Sequence, residues 1–206
     1  YKSGAFKYKL NASENVEELF KHQRATISMG YIGLYEAATM FYGPDWEDNI
    51  EAKTFTLDIL REMKYYQNAW TNQYDIWFSI YSTPSESLTD RFCRLDKERF
   101  GEIPDITDKG YYQNSFHYDV RKDVTPFEKL DFEKDYPYYA SGGFIHYCEY
   151  PKLNHNIKAL EAVWDYSYDK VGYLGTNIPI DHCYKCDYDG DFETTENGYK
   201  CPNCGN

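Results

Sequence analysis

The chain has 206 residues, 42% hydrophobic and 27% charged, with a formal net charge of −12. That length supports one large domain with a packed core, or such a domain carrying a small appendage. The acidic balance argues against nucleic acid and anionic membrane surfaces as partners, and no apolar run approaches the roughly 20 residues of a membrane span.

The opening YKSGAFKYKL reads like the interior of a longer protein, and no signal-peptide pattern precedes it, which points to the cytoplasm. Residues 14–24 are expected to be helical, with Val16, Leu19 and Phe20 on one face. ATISMGYIGLYEAATMF follows and reads as a buried strand turning into a short helix, with a break at Gly43-Pro44-Asp45. Residues 46–68 form the clearest helix, striped by Ala52, Phe55, Ile59, Met63 and Tyr66. Residues 76–81 are a dense apolar strand. Thr83-Pro84-Ser85-Glu86 then reads as a helix start, with Thr83 as N-cap, Pro84 in the first turn and Glu86 as capping-box partner. NSFHYDV (114–120) and GGFIHYCEY (142–150) are further strands, and Leu153, Ile157, Leu160 and Trp164 mark a last helix. Alternating strands and helices place the chain in the α/β class, with a mainly parallel sheet or barrel. Tyrosine is abundant, at 23 residues, and its apolar ring with a polar tip suits half-buried strands and polar cavities.

One local feature points to anion binding. A strand running into a helix through Ser82, Thr83, Pro84, Ser85, Glu86 and Ser87 offers helix-start N–H groups, a favourable dipole and several hydroxyls. The plainer reading is a capped helix and nothing more, and Glu86 would oppose an anion. His22, His117, His146, His155 and His182 are scattered and read as packed, hydrogen-bonded side chains. No nucleophile elbow, zinc-protease motif or dinucleotide fingerprint is present.

The strongest signal is C-terminal. Cys183 and Cys186 form one C-x-x-C pair, Cys201 and Cys204 another, with fourteen residues between them. Two such turns joined by a hairpin complete a tetrahedral thiolate shell, and the spacing points to Zn2+. Turn signals at Asp189-Gly190 and Asn197-Gly198 supply the hairpin, Phe192 and Tyr199 can cover the metal, and Pro202 and Gly205 suit the tight knuckle. Two disulfides, or a redox C-x-x-C, are the alternatives. A four-thiolate zinc has no open position, so its role is structural. The acidic surroundings disfavour phosphate binding by this ribbon-like segment. Cys93 and Cys148 read as small buried apolar residues.

Taken together, GYIGLYEA (30–37), YSTPSESLTDRF (81–92), YYQNSFHYDV (111–120), SGGFIHYCEY (141–150), VGYLGTNIPIDHCYKC (171–186) and CPNCGN (201–206) resemble the anaerobic, class III glycyl-radical ribonucleoside-triphosphate reductases, especially the bacteriophage form. The resemblance implies a C-terminal portion of the large subunit. Residues 1–180 would form part of a ten-stranded α/β barrel, and 181–206 the four-cysteine zinc segment. It implies that Ser82–Ser87 form the substrate-phosphate loop and that Cys183, Cys186, Cys201 and Cys204 hold the zinc. Asn114, Ser115 and Gly143 match segments near the barrel interior without an assigned role. The thiyl cysteine is expected upstream of Tyr1 and the radical glycine beyond Asn206. Gly172 in VGYLG matches an ordinary turn. No catalytic residue is therefore expected within the chain, and the fragment alone is expected to bind zinc without reducing nucleotides. A ribonucleoside triphosphate as substrate, formate as reductant, a radical-SAM activase and a homodimer of the intact subunit also follow from the resemblance. The competing readings are an acidic zinc-ribbon module that binds another protein, and a hydrolase using paired carboxylates.

Overall fold

A computed structural model describes residues 11, 13–82, 84–150, 153, 156–178, 180–195 and 198–206. Four short parallel strands carry the architecture. β1 (Thr26–Gly30) pairs with β2 (Trp77–Tyr81) in parallel, in the register Thr26↔Trp77 to Gly30↔Tyr81. The two helices α1 (Leu34–Tyr42) and α2 (Ile50–Tyr74) make the crossover between them. β3 (His146–Glu149) pairs in parallel with β4 (Leu174–Asn177) across α5 (Ile157–Ser167). The run into β3 joins the two pairs: Gly143 bridges Tyr81 in parallel, Gly142 N–H donates to Ile80 O at 2.7 Å, and Ser82 N–H donates to Gly143 O at 3.1 Å. A side chain on Gly142 would meet Ser79 Oγ at 2.7 Å, so this close approach of two backbones requires glycine. The carboxyl ends of β1 to β4 thus lie on one side. α3 (Glu86–Phe100) and α4 (Pro126–Glu133) fill the connection between β2 and β3.

The expected order of strands and helices holds in most places, and its departures have physical causes. The helix expected over 14–24 is only a 3-10 turn at Val16–Leu19 with no buried residue, and His22 and Gln23 at positive φ end any continuation. The long helix starts later and runs further than 46–68, because Asn49 caps it by accepting from Glu51 and Ala52 N–H. Its buried face is Ala52, Thr56, Leu60, Gln67 and Thr71; Tyr66 is exposed. The polar members face inward because each is satisfied there. Thr56 Oγ1 meets Tyr136 OH at 2.8 Å, Thr71 Oγ1 accepts Phe78 N–H at 3.1 Å, and Gln67 Oε1 accepts Ser141 Oγ–H at 3.0 Å. In α5 the buried residues are Val163 and Ser167, whereas Ile157 and Trp164 are exposed, so the expected stripe is rotated.

NSFHYDV is not a strand. Only Asn114 makes an antiparallel bridge, to Ile32, and Ser115 sits at φ +41. Two distant carboxylates serve this loop instead of a neighbouring strand. Glu36 Oε1 accepts Gln113 N–H at 2.9 Å, and Glu133 Oε1 accepts Tyr118 N–H at 2.7 Å. Both carboxylates are buried.

An aromatic-rich core fills the space between α1, α2 and α4, with Phe116 stacked on Tyr136 at 5.7 Å between centroids. Buried Tyr35 and Tyr136 keep their hydroxyls paired, Tyr35 OH donating to Pro44 O at 3.0 Å and Tyr136 OH meeting Thr56 Oγ1 at 2.8 Å. Beyond β4 come two small antiparallel hairpins, β5 (Asp181–Cys183) with β6 (Tyr188–Gly190), and β7 (Glu193–Thr195) with β8 (Gly198–Lys200).

Candidate functional site

A cleft of about 370 Å³ opens at the carboxyl ends of the central strands. Pro84 after β2, Glu149 at the end of β3 and Asn177 at the end of β4 line it. Gln113, Asn114 and His117 from the irregular loop, and Lys129 from α4, complete its polar wall. Parallel α/β sheets bind ligands at this position.

Of the loop expected to bind phosphate, Pro84 lines the cleft. Ser82 is buried, with its Oγ 2.9 Å from Tyr31 OH, so it ties the loop to the strand before α1. Ser85 is the N-cap of α3 and makes no side-chain capping bond; the helix begins at Glu86 and Ser87 is exposed. The expected start, with Pro84 in the first turn and Glu86 at its third position, is therefore displaced by two residues. Thr83 lies outside the described residues. The T-P-x-E capping box forms at Thr125-Pro126-Phe127-Glu128 instead, with Glu128 N–H donating to Thr125 Oγ1 and Thr125 N–H to Glu128 Oε2.

Behind the polar wall lies a cluster that sequence reasoning missed. Glu133 is fully buried; Lys129 Nζ approaches its Oε1 at 2.9 Å, and His146 Nδ1 and His117 Nδ1 lie 2.6 and 3.5 Å from its Oε2. Burial pushes the Glu133 carboxyl up, but the Lys129 charge and the two imidazoles outweigh it and hold the group well below the usual carboxylate range. Burial pulls His146 down, yet Cys148 and Glu133 beside it raise the imidazole to about 9. Cys148 is buried in an apolar cluster as expected, and in addition its Sγ lies 3.3 Å from His146 Nε2. The spacing of Lys129 four residues before Glu133, and of His146 two before Cys148, was the available signal. What the sequence did not reveal was that α4 packs on β3.

The four C-terminal cysteines do converge. Cys183 and Cys204 sulfurs are 3.6 Å apart, Cys186 and Cys201 3.7 Å, and all four lie within 4.8 Å of one another, close enough to hold a metal ion. Each pair sits on a tight knuckle. Cys186 and Asp187 N–H donate to Cys183 O, with Asp187 at φ +53, and Gly205 N–H donates to Cys201 O, with Gly205 at φ +72. Asn203 Nδ2 donates to Cys186 Sγ at 3.4 Å. The Lys185 backbone pulls the Cys183 thiol down to about 7. The Asn206 backbone pulls Cys204 down, but hydrogen bonds with the other three sulfurs outweigh it and push that thiol up to about 12. Asp189-Gly190 is strand rather than turn, and the first hairpin turns at the knuckle itself. Tyr199 is 72% exposed and does not cover the sulfurs. Asn197 lies outside the described residues. His182 stands apart, with Nδ1 2.7 Å from Asp189 Oδ1.

The family model described as anaerobic ribonucleoside-triphosphate reductase matches residues 1–206. The chain belongs to the anaerobic ribonucleoside-triphosphate reductase family. It is 51% identical to the reductase of Escherichia coli (strain K12) over 207 residues and 52% identical to that of Haemophilus influenzae over 208, each match covering 100% of this chain and 29% of the relative. The reductase of Enterobacteria phage T4 is 42% identical, again over 100% of this chain and 32% of the phage protein. The chain thus spans about a third of the length of these reductases, matching a C-terminal portion. Solved reductases share its mixed α/β fold at 18% identity. One anaerobic ribonucleotide reductase superposes with a TM-score of 0.69 over 89% of this chain and 28% of its own. The Thermotoga maritima reductase with dATP bound in the specificity site gives 0.66 over 89% and 30%. No helix among the described residues is long and apolar enough to cross a membrane.

Proposed function

We propose that the chain forms part of the catalytic α/β barrel of a cytoplasmic anaerobic reductase that converts ribonucleoside triphosphates to deoxyribonucleotides. The cleft at the carboxyl ends of β2, β3 and β4 receives the nucleotide. The loop Ser82–Ser87 takes the phosphates at the start of α3, and from the opposite wall Lys129 supplies positive charge and His117 an imidazole for hydrogen bonding. The observation that carries this reading is that Pro84, just before the N-cap of α3, and a wall with Lys129 and His117 meet at one cleft in an otherwise acidic chain. Glu149 on the same rim opposes an anion and is exposed to solvent.

The residues of the knuckle fit zinc. Four sulfurs around an ion at about 2.3 Å lie roughly 3.8 Å from one another, close to the two separations observed. Joined sulfurs would be about 2.05 Å apart, well short of the Cys183–Cys204 and Cys186–Cys201 separations, and all four cysteines are free, which favours a metal over disulfides. Four thiolates leave no open position, so the zinc is structural, and residues 181–206 act as a rigid clamp beside the barrel portion, residues 1–180. The radical glycine, the thiyl cysteine, formate as reductant, the radical-SAM activase and the second subunit complete the proposed enzyme outside this chain. Family membership favours this reading over an acidic zinc-ribbon module.

Replacing Ser85 and Ser87 together by Ala in the intact reductase tests it. Loss of hydrogen bonds to a charged ligand predicts at least about a tenfold weaker affinity for ribonucleoside triphosphate. Unchanged affinity would refute the placement of the phosphates.

A further inference from the structure

The two cysteines outside the knuckle are both buried and chemically unlike. Cys93 Sγ donates toward carbonyl oxygens, Thr107 O at 3.6 Å and Ile106 O at 4.0 Å, and no imidazole pairs with it among the described residues. Cys148 Sγ faces the imidazole Nε2 of His146 at 3.3 Å. The other imidazole nitrogen, Nδ1, is 2.6 Å from Glu133 Oε2, and the second Glu133 oxygen is fixed by Lys129 and by Tyr118 N–H. Nucleophile, base and carboxylate therefore follow one another, the imidazole between the sulfur and a carboxylate at ion-pair distance, all fully buried or nearly so. The line is built by two regular elements: His146 and Cys148 share a face of β3, and Glu133 closes α4 against it. Tyr150 extends that face, and its buried hydroxyl has no hydrogen-bond partner among the described residues.

Cys148 also has a route to small molecules. It walls a cavity of about 130 Å³, together with Val124 and Pro126, that adjoins the larger cleft and shares Lys129 and Glu149 with it. That volume admits a molecule of a few heavy atoms and excludes a tripeptide thiol or a protein disulfide. The Cys93 sulfur is completely buried and lines none of the cavities described here.

We propose that Cys148 is an oxidation site, a nucleophile activated by His146 and Glu133 that a small hydroperoxide entering this cavity converts to a sulfenic acid. The Cys148 thiolate attacks one oxygen of hydrogen peroxide, forming the S–O bond as the O–O bond breaks. The departing hydroxide takes the proton from His146 Nε2 and leaves as water, so sulfur is oxidised, peroxide is reduced, and the imidazole ends neutral. Glu133 holds the imidazolium for that transfer and does not itself donate the proton. This chemistry uses the smaller cavity, which shares its Lys129 wall with the larger cleft.

The test uses the intact, metal-loaded reductase, treated with hydrogen peroxide in the presence of dimedone and mapped peptide by peptide by mass spectrometry. Cys148 is expected to acquire the sulfenic-acid label at least about ten times faster than Cys93. His146→Gln, in protein whose circular dichroism is unchanged, is expected to bring the two rates together, and Glu133→Gln to slow Cys148 in the same direction. Equal labelling of Cys148 and Cys93 in the wild-type protein would overturn the proposal, and so would an undiminished Cys148 rate in a folded His146→Gln variant. Should both His146 and Glu133 variants fail to fold, the wild-type comparison of the two cysteines still decides it.

Discussion

From β1 to β4 the chain buries Leu60, Ile80, Leu130 and Tyr136 completely, whereas from Asp181 onward the buried side chains among the described residues are Cys183 and Cys201. The first region carries an aromatic core and crossover helices, and burial of that core contributes to its stability. The second has two hairpins of three-residue strands and no apolar interior, a size and composition that cannot offset chain entropy unaided. The difference teaches that one chain combines two sources of order, and that they should fail separately.

Removing the metal should have the largest effect. Chelation of the intact protein, or Cys201→Ser, is expected to abolish hydrogen-exchange protection over residues 181–206, a loss of several kcal/mol, up to about 10. Protection in α2 and β2 should persist. Uniform loss across both regions would erase the distinction. Leu60→Ala, at a completely buried position of α2, should cost about 2–5 kcal/mol in denaturant unfolding while metal content stays unchanged.

pH separates the regions by sign. The folded His146 imidazole is raised to about 9 from its ordinary 6.5, so its stabilising contribution is complete below pH 6.5 and fades as pH rises through 9. Comparing wild type with His146→Gln across that window should show a difference on the order of 1–3 kcal/mol that vanishes at the alkaline end. Metal affinity of the knuckle should rise over the same window as thiols deprotonate. The smallest effect is at the start of α4. Thr125→Ala removes a formed capping box and should cost about 1 kcal/mol in denaturant unfolding.

What the sequence made legible follows the same division. The knuckle was readable because its information is local: two C-x-x-C pairs, a short spacer and a glycine at the turn bring four sulfurs together without reference to anything distant. β2, α3 and β3 were readable from apolar runs and breaks. The Gln113–Tyr118 loop was not, because SFHY alternates like a strand while the groups that hold it, Glu36 and Glu133, are 77 and 15 residues from the amides they accept. The inward face of α2 was misread for a related reason. Thr56, Gln67 and Thr71 look like surface residues until Tyr136, Ser141 and Phe78 arrive to pair with them. Of the two T-P-x-E patterns, the one at 125–128 forms a capping box, and the helix at the other begins two residues later than expected, after Ser85. Of the candidate cleft, Pro84, Asn114 and His117 lay in segments already singled out. Lys129 and the cluster around Glu133 required knowing that α4 packs on β3.

X-ray absorption at the zinc edge of the purified intact protein probes the closed tetrathiolate directly. The expected spectrum has four sulfurs at about 2.3 Å, no nitrogen or oxygen ligand, and one zinc per chain. A light-atom ligand in the first shell, or protein that retains protected hairpins over residues 181–206 with no bound metal, would contradict a purely structural clamp.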